Sequence, residues 1–438
     1  MPVTAREAAL HALLAFKKQG IYPDSFPDLP DRRDEALAGK IMLGVLQNRM
    51  LLDRTIAAYS SVKPERMESA VLEILRISAY QLLFLTRVPA SAAVSEGVTL
   101  AGKYANPGAA RLVNAVLRRI SENAGTLPPL PENAGERLSV LYSHPLWYVR
   151  RLDALLGRDR CEAVLKADNA EPETDLQLNT LRTDTETAER RLAADGLNVS
   201  RHPWLPNCLT ATVTGDLTAY SSFRDGLFYV QDAAARLAVC AAGLLPGFRV
   251  IDGCAAPGGK SFAAAMELKG EGSILSCDLR EKKLSLISEG ASRLGISILQ
   301  TRAADGTIFL PELDKTADAV LADVPCSGFG VIRRKPEIRY KTPEETSRLP
   351  EIQFSILSNL SRYVRPGGVL LYSTCTVLPE ENGDVIARFL RENADFVPEC
   401  FSVPGPFPQA ESGRLTIFPD EAGTDGFYLC KLRRRAES

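Results

Sequence analysis

Two cysteines in this 438-residue chain stand where an apolar run gives way to a loop. One lies in Asp323-Val324-Pro325-Cys326-Ser327-Gly328, after the run 317–324. The other lies in Tyr372-Ser373-Thr374-Cys375-Thr376, after the run 369–374. Both runs read as strands of a parallel sheet, so both thiols are expected at one sheet edge. Paired thiols suit covalent catalysis on a pyrimidine. Carbon 5 of that ring is a poor nucleophile. Adding a thiolate at carbon 6 turns the ring into an enamine, whose carbon 5 can attack an electrophilic methyl group. The carbon 5 proton must then leave and the thiol be expelled, and a second thiol within reach could assist that release. Either cysteine alone reads as a small buried hydrophobe, and the pair is what points to chemistry. Cys161, Cys208, Cys240, Cys277, Cys400 and Cys430 have no such context.

A methyl donor needs a site at the same edge. The first strand of the alternating region runs into Asp252-Gly253-Cys254-Ala255-Ala256-Pro257-Gly258-Gly259-Lys260-Ser261. Such a turn, opening a helix, lets the backbone approach a ligand at the positive helix end. A phosphate-binding P-loop would need glycine at Cys254, and a dinucleotide loop would need G-x-G-x-x-G, which is absent. S-adenosylmethionine is the remaining class. Its ribose hydroxyls and adenine amino group donate hydrogen bonds, so acids should close successive strands. Asp278, Asp305 and Asp323 do so, at the carboxyl edge where open α/β sheets bind ligands. Any one of them could equally cap a helix. The side chain of Cys254 reads as packing.

The elements that must position these residues follow a change of rhythm along the chain. From about 232, strands at 248–254, 273–279, 297–302, 317–324 and 369–374 alternate with helices, and 426–432 reads as a closing strand. Residues 1–126 read as all helix, with stretches ending near Lys18 and at 31–48, 51–59, 64–85, 91–105 and 107–123. Thr4 and Glu7 form a capping-box pattern, and 22–31 reads as a loop. Val71, Ile74, Leu75, Ile77, Leu82 and Leu83 make the 64–85 helix central. Residues 127–136 read as a linker, 142–157 as a helix and 174–230 as a small α+β unit. There, 175–181 is an expected strand, 184–194 a helix, and Asp225-Gly226 a hairpin turn before the strand 227–230. Three domains are therefore expected: helical 1–126, linker helices with an α+β unit in 127–231, and an α/β Rossmann-like domain in 232–438.

Composition limits the function classes. Apolar residues are 45% and charged residues 24%, so wholesale disorder is excluded. No run approaches the roughly 20 apolar residues of a membrane span. Residues 1–20 lack the regions of a signal peptide, so the cytosol is the expected compartment. Nine cysteines without a CxxC pair, and three histidines, argue against a disulfide scaffold and a zinc site. The net charge of −2 conceals an asymmetry: residues 1–126 hold 16 basic against 12 acidic side chains, and the remainder 36 against 42. A basic first domain could dock on phosphates.

The cofactor loop Asp252–Ser261 resembles that of the RNA cytosine-C5 methyltransferases. So do Asp323–Gly328 with Gly330-Val331-Ile332-Arg333-Arg334-Lys335-Pro336, Ser373–Cys375 with Pro379-Glu380-Glu381-Asn382, and Gln231-Asp232. The helical first 126 residues look like a NusB-type RNA-binding domain, which narrows the resemblance to members acting on 16S rRNA. The resemblance implies that Cys375 is the nucleophile and Cys326 assists product release. It implies that S-adenosylmethionine meets Cys254, Ala255, Ala256, Pro257, Gly258, Gly259 and Lys260, with Asp278, Asp305 and Asp323. A monomer acting on an unpaired cytosine of that RNA is expected, with no metal and no membrane. Ser261 stands where threonine is usual, and Pro419-Asp420 where Pro-His is frequent.

Arg333, Arg334, Lys335 and Arg339, with Tyr340, could hold phosphates flanking the target base. Arg111, Arg118 and Arg119 form a second candidate patch. Trp147, Tyr148, Arg150 and Arg151 could stack bases, but their apolar spacing favours core packing. A target cytosine must leave its stack, so unpaired RNA is the easier substrate. Two rivals remain. A non-catalytic RNA-binding factor would not need both Cys326 and Cys375. A DNA-type enzyme would make Cys326 the nucleophile.

Overall fold

The computed structural model describes residues 3–20, 26, 29, 31–212 and 216–436. The expected loop at 22–31 lies outside them except at Phe26, Leu29 and Asp31. Residues 1–169 and 170–438 form two compact units.

The first unit is helical. Its helices are Ala5–Gln19, Arg32–Tyr59, Ser69–Phe84, Ala90–Tyr104, Pro107–Glu122, Ala134–Tyr142, Leu146–Leu156 and Arg158–Ala167. The helix Ser69–Phe84 is central, with every residue from Val71 to Gln81 buried. That stretch includes Glu73 and Arg76. Arg76 donates to both Asp53 carboxylate oxygens (2.6 and 2.7 Å) and to Glu73 (2.5 Å), which satisfies charges that would otherwise be costly to bury.

Two local expectations change, and one holds. The two helices expected at 31–48 and 51–59 are present as Arg32–Tyr59 interrupted at Asn48, which has non-helical backbone angles and whose side chain donates to the carbonyl of Gly44 (2.9 Å). The expected helix at 142–157 is broken by Ser143 in the left-handed region and by Pro145, so Ala134–Tyr142 precedes Leu146–Leu156. Only half of the capping box forms. Thr4 accepts from the Glu7 amide, but the Glu7 carboxylate is taken by Lys103 and Tyr104.

The second unit holds two sheets. Strands β1 (Thr174–Leu178), β2 (Val199–Arg201), β3 (Cys208–Ala211) and β4 (Phe228–Val230) form an antiparallel sheet in the order β2-β3-β1-β4. The helix Thr185–Ala194 packs on it through Ala188 and Leu192, against Leu176, Leu209 and Phe228. Asp225-Gly226 is not a hairpin turn. It ends the short helix Ser221–Arg224, and β4 pairs with β1, far upstream.

The larger sheet comprises β5 (Arg249–Asp252), β6 (Ser273–Asp278), β7 (Leu299–Ala303), β8 (Ala317–Asp323), β9 (Val364–Thr374), β10 (Phe396–Pro398), β11 (Arg414–Ile417) and β12 (Phe427–Arg434). The order is β10-β12-β9-β8-β5-β6-β7, with β11 on β12. Strands β5 to β9 are parallel and β10 to β12 antiparallel, so the sheet is mixed. Alternate residues bury on opposite faces, as pleating requires. Val250, Ile274, Leu321 and Leu371 pack with the helices Ala233–Ala242, Gly259–Glu267 and Glu281–Leu294. Ile251, Val320, Leu370 and Tyr372 pack with Leu349–Ser361 and Gly383–Glu392. The strand order reverses at β5, which places a crevice at its carboxyl end.

Candidate active site

The Gly-rich loop leaves β5 at that crevice. An added Cβ at Gly253 would lie 2.3 Å from the Leu360 side chain, so only glycine fits there. Gly258 has φ +111° and caps the helix Gly259–Glu267. The Ala255 amide donates to the carbonyl of Cys277 (2.8 Å) and Gly258 to that of Ala255 (2.7 Å), which fold the loop over the end of β6.

The three strand-end acids take three different parts. Asp278 accepts from the amides of Ala256 (3.1 Å) and Arg280 (2.9 Å), tying the loop to β6. Asp305 accepts from the amide (2.9 Å) and hydroxyl (2.7 Å) of Thr307, which hold its carboxyl below the usual range. Asp323 accepts from Lys260 Nζ (2.7 Å) and Ser373 Oγ (2.7 Å). Burial works against the Lys260 ammonium, but Asp323 more than offsets it and raises its pKa.

The thiols meet because β8 and β9 are parallel with Asp323 opposite Ser373. Cys326 and Cys375 lie 3.2 Å apart, sulfur to sulfur, and both are half-buried. The hydrogen bond from Cys326 lowers the pKa of Cys375. Burial and Asp323 oppose that shift, and the positive charges of Lys260 and Lys335 add to it. Cys326 moves the other way, through the same bond, burial and the negative charges of Cys375 and Glu381. Of the two sulfurs, Cys375 is thus the more readily ionised.

The partners that hold this arrangement were not singled out from the sequence. Buried Glu381 accepts from the Ser327 amide (2.9 Å) and Gln353 Nε2 (2.8 Å), and Gln353 also reaches the Pro325 carbonyl (3.0 Å). These bonds fix the loop on both sides of Cys326. Asn382 donates to the Thr376 carbonyl (2.9 Å) and accepts from Thr374 (2.6 Å), bracketing Cys375. Asp252 is fully buried, and burial pushes its carboxyl up to about 7, with Ser261 opposing from 2.7 Å. Glu381 and Asn382 had been visible only within a motif, and an acid ending the first strand was the available signal for Asp252.

The basic loop after Cys326 corrects the expected RNA contacts. Arg333, its side chain 7% exposed, bonds Asp425, Asp232 and the Gly423 carbonyl. Arg334 bonds Asp425 (2.7 Å), Asp232 (2.8 Å) and the Glu173 carbonyl (3.0 Å). Arg339 is 0% exposed. The charges of Arg333 and Arg334 are spent on Asp232 and Asp425, and burial leaves neither Arg333 nor Arg339 a surface from which to reach a phosphate. Lys335 is exposed. Arg111, Arg118 and Arg119 are exposed on Pro107–Glu122, whose opposite face buries Val113, Val116, Leu117 and Ile120. Tyr148 is fully buried, as its spacing suggested. Cys254 packs against the core of the face that holds Ile251 and Leu360. Among the described residues, no cluster of three or more His, Cys, Asp or Glu could hold a metal ion, and no helix is long and apolar enough to cross a membrane.

Residues 244–433 match the 16S rRNA methyltransferase RsmB/F family, 3–122 the NusB family, and 144–218 the ferredoxin-like domain of RsmF/B-like methyltransferases. The chain is 34% identical to the probable ribosomal RNA small subunit methyltransferase B of Bacillus subtilis (strain 168), over 99% of each chain. It is 32% identical to the ribosomal RNA small subunit methyltransferase B of Pseudomonas putida, over 100% of this chain and 99% of that one. Among solved structures, PH0851 aligns with TM-score 0.79 and 25% identity over 99% of this chain and 98% of that one. A methyltransferase homologue from Pyrococcus horikoshii aligns with TM-score 0.60 and 25% identity, over 69% of this chain and all of the other. Full-length similarity at this level, on a fold that brings the two thiols and the glycine-rich loop to one edge, shows that the chain belongs to the RsmB/F family of 16S rRNA methyltransferases.

Proposed function

We propose that this protein methylates carbon 5 of an unpaired cytosine in 16S rRNA through a covalent adduct between Cys375 and carbon 6. The observation that carries this reading is the thiol pair, 3.2 Å apart just past the ends of β8 and β9, with Cys375 the more readily ionised of the two. The glycine loop fits S-adenosylmethionine. At Gly259 an added Cβ would come within 3.0 Å of Gln231, and at Gly258 within 2.6 Å of Phe262, so this stretch of backbone is kept bare. Cys254 to Lys260, with Asp278, would hold the cofactor, and Asp305 and Asp323 complete the rim. When bound, it supplies an electrophilic methyl group.

The protein's own residues do the rest. Cys375 adds to carbon 6 and makes carbon 5 nucleophilic. Lys260, held by Asp323, keeps a positive charge beside the thiolate. Cys326 then assists expulsion of Cys375 once the carbon 5 proton has left. Lys335, with Arg111, Arg118 and Arg119, contacts RNA phosphates. The domain assignment follows: residues 1–126 bind RNA, 127–231 join the parts, and 232–438 carry the chemistry.

Two measurements test this. Ribosomal RNA from cells lacking the protein should lose one 5-methylcytosine. Cys375→Ala should form no covalent RNA adduct, whereas Cys326→Ala should form it and release it slowly, leaving a protein–RNA band on denaturing gels. The reverse pattern would make Cys326 the nucleophile, as in the DNA-type arrangement.

A further inference from the structure

We propose that Cys326 and Cys375 are also a redox modification site, which a peroxide closes into a reversible disulfide. Three structural observations support it. The sulfurs are 3.2 Å apart, and a disulfide requires about 2.05 Å, so roughly 1 Å of closure is needed. Both cysteines are half-buried, as Cys240 and Cys254 also are, so a small oxidant has access to the pair, whereas Cys161, Cys208, Cys277 and Cys430 are buried. Both stand just past a strand end, Cys375 directly after β9 and Cys326 three residues beyond β8, so neither backbone N–H nor C=O need leave a strand for the sulfurs to close. The lowered pKa of Cys375 adds to this, because the thiolate is the form that peroxides oxidise.

The chemistry balances with hydrogen peroxide as oxidant. The Cys375 thiolate attacks one peroxide oxygen, the O–O bond breaks, and hydroxide leaves and takes a proton to become water. Cys375 is now a sulfenic acid. The Cys326 sulfur attacks it, the S–S bond forms, the S–O bond breaks, and the departing oxygen leaves as a second water with the Cys326 proton. Two thiols have given up two electrons to one peroxide. A dithiol reverses this by two exchange steps. The disulfide withdraws the sulfur that would attack cytosine and shields it from irreversible oxidation to the sulfinic acid. That consequence for activity rests on the function proposed above, whereas formation of the bond does not.

The experiment therefore reads the bond itself. The full-length protein is treated with hydrogen peroxide, its remaining thiols are alkylated, and its tryptic peptides are mapped without reduction. The expected result is a dominant species joining the peptide with Cys326 to that with Cys375, which dithiothreitol abolishes as both thiols return. Cys326→Ser should instead accumulate dimedone-reactive and then sulfinic Cys375, which dithiothreitol does not restore from the sulfinic form. The proposal is overturned if wild-type protein gives that same sulfinic product without the linked peptide, or if Cys375 is found joined to exposed Cys400 of another molecule. If the linked peptide forms but the reduced protein methylates no cytosine, only the function proposed above fails.

Discussion

Asp278 already accepts two backbone amides, so its carboxylate is oriented before any ligand arrives. Preorganised acceptors suit ribose hydroxyls, since no ordering cost is added on binding. Asp278→Ala should weaken S-adenosylhomocysteine binding by calorimetry about tenfold, or ~1.4 kcal/mol, the scale of one hydrogen bond to a charged group. Unchanged affinity would remove Asp278 from the site. The thiols give a second expectation. Cys326 hydrogen bonding lowers the pKa of Cys375, and Lys260 and Lys335 assist. A lowered thiol pKa means that the thiolate is present at lower pH. Adduct formation should therefore rise with pH through an inflection below about 8.5, the value for a free cysteine. Lys335→Gln should move the inflection to higher pH and leave S-adenosylhomocysteine binding unchanged. An inflection at or above that of a free thiol would contradict Cys375 as the more readily ionised sulfur.

Arg333 and Arg334 act at the scale of elements. Together with Asp232, which caps Ala233–Ala242, and Asp425, which precedes β12, they fasten the loop after Cys326 to two other segments. The same loop is closed by bonds from the Gly426 amide to the Gly330 carbonyl (2.7 Å) and from the Gly330 amide to that of Cys375 (2.9 Å). Breaking a buried ion pair by removing one partner costs about 3–5 kcal/mol. Arg333→Ala should lower stability to denaturant by about 3 kcal/mol and leave the salt dependence of RNA binding unchanged. A phosphate contact would do the opposite, sparing stability and reducing the salt slope by about one. The misreading of these arginines has a physical source. A cation's type is visible in a sequence, but its partner 91 to 102 positions away is not. Glu381 and Gln353 were overlooked for the same reason. By contrast, β5, β6 and β8 were legible because central parallel strands bury both faces and read as continuous apolar runs. The exposed three-residue edge strand β2 has no such pattern. The early start of β9 was hidden by Pro366-Gly367-Gly368, which reads as a turn but is taken up by a register shift opposite Ala317 and Ala319.

For the whole molecule, charge divides along the sequence as chemistry does. The chemistry-bearing residues crowd into one sheet edge of the second unit, while the excess of basic side chains lies in residues 1–126. The helical first unit was legible because prolines at 64, 89 and 107 each stand at or beside the start of an element. Its buried Glu73–Arg76–Asp53 network was not, since a period of 3.6 cannot distinguish a paired buried charge from a solvated one. The surface of Pro107–Glu122 is different. Arg111, Arg118 and Arg119 are exposed, and the helix is held by its apolar face, so charge reversal there should leave the fold intact. Replacing all three by glutamate in the full chain should weaken rRNA binding at least tenfold at low salt. If each arginine neutralises one phosphate, the slope of log affinity against log salt should fall by about two. S-adenosylhomocysteine binding should be unaffected, because its expected contacts belong to the other unit. Filter binding across a salt series measures both quantities. If affinity and slope are the same as in the wild type, this helix does not bind the RNA, and the basic excess of the first unit serves another purpose.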